Sequence, residues 1–416
     1  MISRSLKSCA LAMTVAVAVC LLASAWQALC NDQDPPVRSD WPQWRGPNRN
    51  GISAEKGCFT QWPEGGPKRL WHASVGVGFS SVAVSGGRVY TMGNSEDVDT
   101  VYCLDAGSGA VVWKYPYPCK ARGANPGPRA TPTVDGDVVY TFGGEGHVHC
   151  LDAASGKLIW RRNVQKSLKN DVLKWGMSSS PLVEGRLLLL SAGTCGVALE
   201  KATGRIVWHV ESDMPSYASP VVFGSKGRRC ALFMAGGEIV CTRSRDGAAL
   251  WRHPWRPKFP NNCADPIVSG DKVFVSSSYG QGCALLRIGR DRPTVLWQNE
   301  RMANHFSTCV LWQGHLYGFD GDVRHGVFLK CLSFETGDPK WAEPINGSLI
   351  LADGKLIILT TEGELAIAEA SPAAYRELAR AQVLKGKCWT GPVLAGGRIY
   401  CRSWQGDLVC LDVSGK

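Results

Sequence analysis

ATPTVDGDVVYTFGGEGHVHCLDAASGKLIW, residues 130–160, holds one complete unit of a repeat that runs through the whole chain. It begins with a small-residue and proline segment. Two apolar strands follow around a Gly turn, then a third strand, an acidic-Gly turn and a final strand ending on Trp160. Each apolar run is short, alternating and bounded by turn residues, which marks strands and not helices. A second copy, FSSVAVSGGRVYTMGNSEDVDTVYCLDAGSGAVVW, ends at Trp113, and weaker copies end at Trp208, Trp251, Trp297 and Trp341. The copy opening GSLILADGKLIILTTEGELAIAEA has lost its Trp, and the last, TGPVLAGGRIYCRSWQGDLVCLDVSGK, holds three strands only. Counting Trp71, the marker tryptophans recur every 42 to 48 residues, the period of β-propeller blades. A Trp on the outermost strand has the flat, large surface needed to pack between neighbouring blades. Residues 68–75, around Trp71, read as a lone strand ahead of the first full copy. Added to the three-stranded last copy, it completes a blade, closes the ring and removes free sheet edges. The expected fold is therefore all-β, an eight-bladed propeller; seven blades is the alternative, because the copy over residues 347–384 is degenerate.

Around this ring the chain divides into three parts. Residues 1–25 read as a signal peptide: Arg4 and Lys7 precede an apolar stretch over residues 11–22, and Ala23-Ser24-Ala25 suits cleavage. The protein is thus expected to be exported, to the periplasm or beyond, with no membrane span after cleavage. A lipid anchor is not expected, since Cys20 follows Val19 and Cys30 follows Leu29, neither a small residue. Residues 26–66, with Trp41, Trp44 and Trp62, read as an arm packed on the propeller, because three tryptophans are costly to leave in water. Residues 67–416 form the propeller, expected to be monomeric. The net charge of +10 is spread without a dense basic run, so nucleic-acid binding is not expected.

The repeat resembles the pyrroloquinoline-quinone (PQQ) type, through its SPVV or TPTV inner strand, its LDAGSGAVVW and LDAASGKLIW turns, and its Trp. The opening WPQWRGPNRNGIS, with NHFSTCVLWQGHLYGFDG and GKCWTGPVLAGGRIY, is similar to a group of bacterial exported proteins carrying that repeat. The resemblance covers residues 41–412 and concerns fold, since the repeated residues are those that build blades. It implies one of two roles. Quinoprotein alcohol dehydrogenases hold the quinone and calcium in the central funnel. The outer-membrane assembly scaffold BamB, also an eight-bladed exported propeller, binds proteins through loops on one face. The leading expectation is the second: a non-catalytic scaffold with an envelope or outer-membrane protein partner and no cofactor. A PQQ- and calcium-dependent alcohol or sugar dehydrogenase is the alternative, and a propeller binding a small ligand or glycan is the third reading.

The search for chemistry favours the non-catalytic readings. The sequence has no Cys-Cys pair and no Cys-x-x-Cys-His. Cys103, Cys150, Cys241, Cys331 and Cys410 share one repeat position, which keeps them a blade apart and out of disulfide range; they read as small buried hydrophobes. Among the other cysteines a few pairs remain open. His147 and His149 share one strand face, and two ligands do not make a metal site; they read as a blade-packing pair. The more informative positions lie just before each innermost strand, where propellers point loops at the channel mouth: Arg129, Trp175, Tyr217, Asn261, Asn262, Asp265, His305 and Trp389. That mixture of aromatic, amide and charged groups suits a polar ligand or peptide; equally, such side chains plug and hydrate a channel.

Overall fold

The computed structural model describes residues 39–414, apart from residues 58–59, 122, 171–172, 194, 213, 215, 290 and 323–325. The expected cleavage site, the first part of the arm, Cys30 and Cys58 lie outside the described residues. Eight sheets, each built on four antiparallel strands, follow one another in sequence, one of them carrying a fifth, parallel strand from the arm, and the eight-bladed ring expected from the repeat is present. Strands cover residues 83–118 in blade 1, 133–163 in blade 2, 182–210 in blade 3 and 221–254 in blade 4. Blades 5, 6 and 7 cover residues 267–299, 310–343 and 347–382. Blade 8 takes its inner three strands from residues 393–412 and its outermost from Arg69–Ser74, which pairs antiparallel with Asp407–Asp412. The only helix among the described residues is Val164–Leu168.

The core lies between blades, as a series of apolar clusters each shared by neighbours. The marker tryptophans explain how one blade docks on the next. Trp113 Nε1 donates to Ala153 O at 3.0 Å, and Trp71, Trp160, Trp208, Trp297 and Trp341 make the same bond to Ala106, Lys201, Ser244, Phe334 and Ser371 of the following blade. Except for Trp341, whose neighbouring turn lacks a Gly, each of these rings lies over the Gly of the neighbour's turn: a Cβ at Gly156 would stand 2.6 Å from Trp113, and Gly156 has φ +72°, which only Gly adopts without strain. The five repeated cysteines are the cross-strand partners of these tryptophans, as in Cys103 opposite Trp113 and Cys410 opposite Trp71. All five are buried and unpaired, and no described cysteine forms a disulfide.

The degenerate copy over residues 347–384 is a regular blade. Ala379 occupies the Trp register, opposite Ile367, and the arm's Trp62 packs into the same apolar cluster as Leu378 and Ala379. The arm therefore brings apolar surface to the blade that lacks its own tryptophan.

His147 and His149 pack between blades 1 and 2, with the His149 ring 4.4 Å from that of Tyr117. Burial, reinforced by His147 and Arg161, holds His149 down to about 3. Its unfolded value is near 6.5. The folded state thus resists a proton that the unfolded state accepts below about pH 6.5, so stability falls on acidification. Between pH 6.5 and 5 the loss from this one group approaches about 1.4 kcal/mol per pH unit. Urea unfolding of His149→Phe across that window should show a visibly flatter slope than the native chain; an identical slope would contradict the assignment.

Candidate functional site

Seven of the eight inter-blade connections arrive at one mouth of the channel, immediately before the innermost strands, and enclose a cavity of about 350 Å³. Phe79 precedes blade 1; Asn125 and Arg129 precede blade 2; Trp175, Ser178 and Ser180 precede blade 3. Tyr217 and Ser219 precede blade 4; Asn261, Cys263 and Asp265 precede blade 5; His305 and Phe306 precede blade 6; Trp389 and Thr390 precede blade 8. Blade 7 contributes nothing, because only three residues separate Glu343 from its first strand, Gly347–Ala352. Tyr279, from a turn within blade 5, completes the wall.

The floor comes from the arm. Residues 41–53 cross the channel from blade 1 to blade 7. Trp41 exchanges backbone hydrogen bonds with Val84 at 2.8 Å both ways, Val134 N donates to Pro42 O, and Arg49 donates to Pro181 O. Ile52–Ser53 then adds a short parallel strand inside the innermost strand of blade 7. Trp44 projects into the cavity and donates from Nε1 to Asp265 Oδ2 at 2.7 Å. The channel is thereby a funnel closed at its inner end.

Aromatic faces dominate the funnel. Phe79 stacks on Trp389 with centroids 5.6 Å apart, and Phe306 lies 4.7 Å from Trp389 on another side. Lys387 sits over Trp389 with Nζ 4.2 Å from the ring centroid. Tyr279 Oη and His305 Nε2 share a hydrogen bond of 2.8 Å. Burial lowers the His305 imidazole below its ordinary value, with Asp322 opposing, so it is neutral at pH 7. Arg129 is fixed by donation to Asn125 O at 2.6 Å and Gly127 O at 3.0 Å, and its guanidinium lies 5.4 Å from the Phe79 ring centroid.

Asp265 is the only carboxylate lining the cavity among the described residues, and each of its oxygens already accepts a hydrogen bond. Oδ1 accepts from Ser219 N at 2.7 Å, Oδ2 accepts from Trp44, and Arg45 and Arg49 face it from the arm. Burial nevertheless raises its pKa above the usual carboxylate range, the two guanidinium groups opposing. Calcium takes six to eight oxygen ligands, carboxylates foremost. One committed carboxylate does not fit that ion, and no group of three or more His, Cys, Asp or Glu side chains among the described residues could hold a metal. A single thiol, Cys263, lines the funnel, pushed up to about 12 by burial.

Of the eight residues singled out in the sequence, Arg129, Trp175, Tyr217, Asn261, Asp265, His305 and Trp389 line this cavity together. Asn262 does not. It is fully buried, its Nδ2 donating to Ala235 O and its Oδ1 accepting from Ser277 Oγ, both at 2.5 Å, and its carbonyl accepts from Tyr217 N. Alternation along the connection turns it away from its neighbour Asn261 to tie blades 4 and 5. Phe79 and Ser178 occupy the repeat position of Arg129, Tyr217 and Trp389, and Ser180 and Ser219 that of Asp265, so extending the register would have found all four. Trp44 carries no such signal, because a tertiary crossing alone brings it in.

A family model described as "Outer membrane protein assembly factor BamB" matches residues 63–140 and 120–371. No curated protein sequence matches at a significant level. Among solved structures, BamB from Moraxella catarrhalis is similar with a TM-score of 0.63 and 15% identity, over 83% of this chain and 99% of that one. Quinohemoprotein alcohol dehydrogenase from Comamonas testosteroni gives 0.66 and 13%, over 92% and 82%. A europium-containing methanol dehydrogenase gives 0.60 and 12%, over 88% and 89%. At such identities these likenesses establish the fold, which BamB and the dehydrogenases share. The family match spans well over half of the sequence, and the chain belongs to the BamB family of PQQ-type repeat propellers.

Proposed function

We propose that this chain is an exported, non-catalytic binding propeller whose central funnel takes one small polar ligand with a flat ring face, of monosaccharide to disaccharide size. The observation that carries this reading is the funnel itself. It is a blind cavity of about 350 Å³, in the range of small-molecule sites, walled by aromatic faces and by amide, hydroxyl and guanidinium donors on fixed loops. The parts of the Trp389, Phe306 and Trp175 rings that line the cavity suit the apolar side of a sugar or heterocycle, while Asn125, Asn261, Arg129 and the serines supply hydrogen bonds at its edge. The non-catalytic part is supported by the state of the reactive groups. Asp265 is committed to Trp44 and Ser219, the Cys263 thiol is held protonated, and His305 Nε2 is engaged by Tyr279. The poor fit to calcium points the same way, against a calcium-dependent quinone enzyme. Export is supported by the signal-like first 25 residues and by a family whose name places it in outer-membrane assembly. Family membership also favours a second reading, in which the mouth loops hold an envelope protein partner.

The test is a titration of the mature chain, followed by tryptophan fluorescence, with a panel of mono- and disaccharides, aromatic heterocycles, and pyrroloquinoline quinone with and without calcium. Saturable quenching is expected for one ring-bearing class. Trp389→Ala should weaken it roughly tenfold, the value of about 1.4 kcal/mol for one lost stacking face. Dye-linked turnover of an alcohol or sugar would overturn the non-catalytic assignment. Absence of binding across the panel would remove the ligand reading and leave the protein-scaffold role.

A further inference from the structure

On the face opposite the funnel, where the inner hairpins turn, blades 3 and 4 form a second concavity of about 440 Å³. It is lined by Arg186, Arg228, Arg229, Arg243 and Arg245 and by a single carboxylate, Glu184. The turn Lys226-Gly227, with φ of +48° and +73°, carries one more cation at its tip. The internal pairing leaves most of this charge unspent. Glu184 takes a two-pronged bond from Arg229, at 2.7 Å on each oxygen, which fixes the hairpins of the two blades together. Asp246 is shared by Arg243 and Arg245, and Glu200 by Arg186 and Arg205. Arg228 has no ion-pair partner among the described residues. Among the described residues seven cations thus meet three carboxylates, and the Arg186 and Arg245 side chains, each sharing its carboxylate with a second arginine, are 71% and 77% exposed.

We propose that this groove is a docking site for an extended, acidic segment of a partner protein. Planar guanidinium groups aimed into a groove match carboxylates in forked pairs, as the Arg229–Glu184 pair shows in place. Shape and charge distribution favour a segment over a membrane. The cationic groove is concave and lined by blades 3 and 4, while blades 1 and 2 present exposed Asp105 and Asp137 on the same face. A flat anionic bilayer would meet those carboxylates at the same time as the arginines, and like charges repel. The site is separate from the funnel and does not depend on what the funnel binds.

The experiment uses the full mature chain and a fluorescein-labelled octaglutamate peptide, read by anisotropy at low and at physiological salt. Saturable binding that weakens steeply with salt is expected, and Arg228→Ser combined with Arg245→Ser should weaken it about tenfold or more. Neither residue ties blades together, so the melting temperature should hold. Lys157→Ser with Lys340→Ser, the same change of charge elsewhere, should leave binding unaltered. Equal loss in both double variants, or no saturable binding, would overturn the proposal. So would binding to phosphatidylglycerol vesicles through Arg228 and Arg245 without binding to the peptide, which would assign the groove to lipid phosphate.

Discussion

Replacing Arg402 by Ala is expected to lower the free energy of unfolding by about 4 kcal/mol, from orphaned hydrogen-bonding groups and the cavity left behind. The side chain is 1% exposed on the second strand of blade 8 and reaches across the seam where the ring closes. Nη1 donates to Ser80 O and Met92 O at 2.6 Å and to Thr91 Oγ1 at 3.0 Å, and Nη2 donates to Gly76 O at 3.0 Å. Every acceptor belongs to blade 1 or to the strand-to-blade link before it. Burial brings the guanidinium down to about 9, so it remains charged at pH 7 with carbonyl dipoles and no carboxylate to balance it. Truncation leaves three carbonyls and a hydroxyl buried without their donor, at about 1 kcal/mol each. For a domain of this size the melting temperature should drop by about 5 °C. Arg402→Lys should recover less than half of the loss, since one ammonium cannot span acceptors set out for a planar fork. Urea unfolding of the three proteins decides the matter: an Ala variant within 1 kcal/mol of the native chain, a spread of the order set by ordinary surface changes, would show that the seam is held by its apolar cluster alone.

Arg45→Ala is expected to cost about 3 kcal/mol and to open the floor of the funnel. Arg45 donates to Thr308 O at 3.2 Å and Cys309 O at 2.8 Å, and within the arm to Asn50 O at 3.0 Å. Its charge also opposes, more strongly than that of Arg49, the burial that raises the Asp265 pKa. Without it Asp265 faces Arg49 alone, its pKa rises further, and the charge assistance to the bond from Trp44 Nε1 weakens. Two readouts should therefore move together. Amide exchange over residues 41–53 should speed up, and quenching by any funnel ligand should weaken. Trp44→Phe, which keeps the apolar floor and loses only the bond to Asp265, should affect ligand binding but leave arm exchange near native. If Arg45→Ala speeds exchange and leaves ligand binding unchanged, the arm is a structural clasp and not part of the site.

The repeat unit, the eight-fold count and the strand that closes the ring were all legible in the sequence, because each is a local pattern repeated. Alternation marks strands, Gly and Asp mark turns, and a Trp at constant period marks the seam between blades. The mouth-facing positions followed from the same register, which is why Arg129, Trp175, Tyr217, Asn261, Asp265, His305 and Trp389 meet in one cavity. Asn262 escaped that logic: which of two adjacent asparagines faces the lumen depends on the path of an irregular loop, and no periodicity governs it. Three tryptophans marked the arm as packed on the propeller, but where it docks was beyond the sequence for a stronger reason. Its short strand pairs in parallel with residues almost 300 positions away, and Arg45, Arg49 and Trp44 find their partners on blades 3, 5 and 6. Such contacts carry no local signature, since they depend on where a closed ring places distant carbonyls. The same holds for the arginines of blades 3 and 4, scattered over 60 positions of sequence with no dense run, which only the stacking of one blade on the next gathers into a groove. Local chemistry therefore determined the blades, and closure of the ring decided what they enclose.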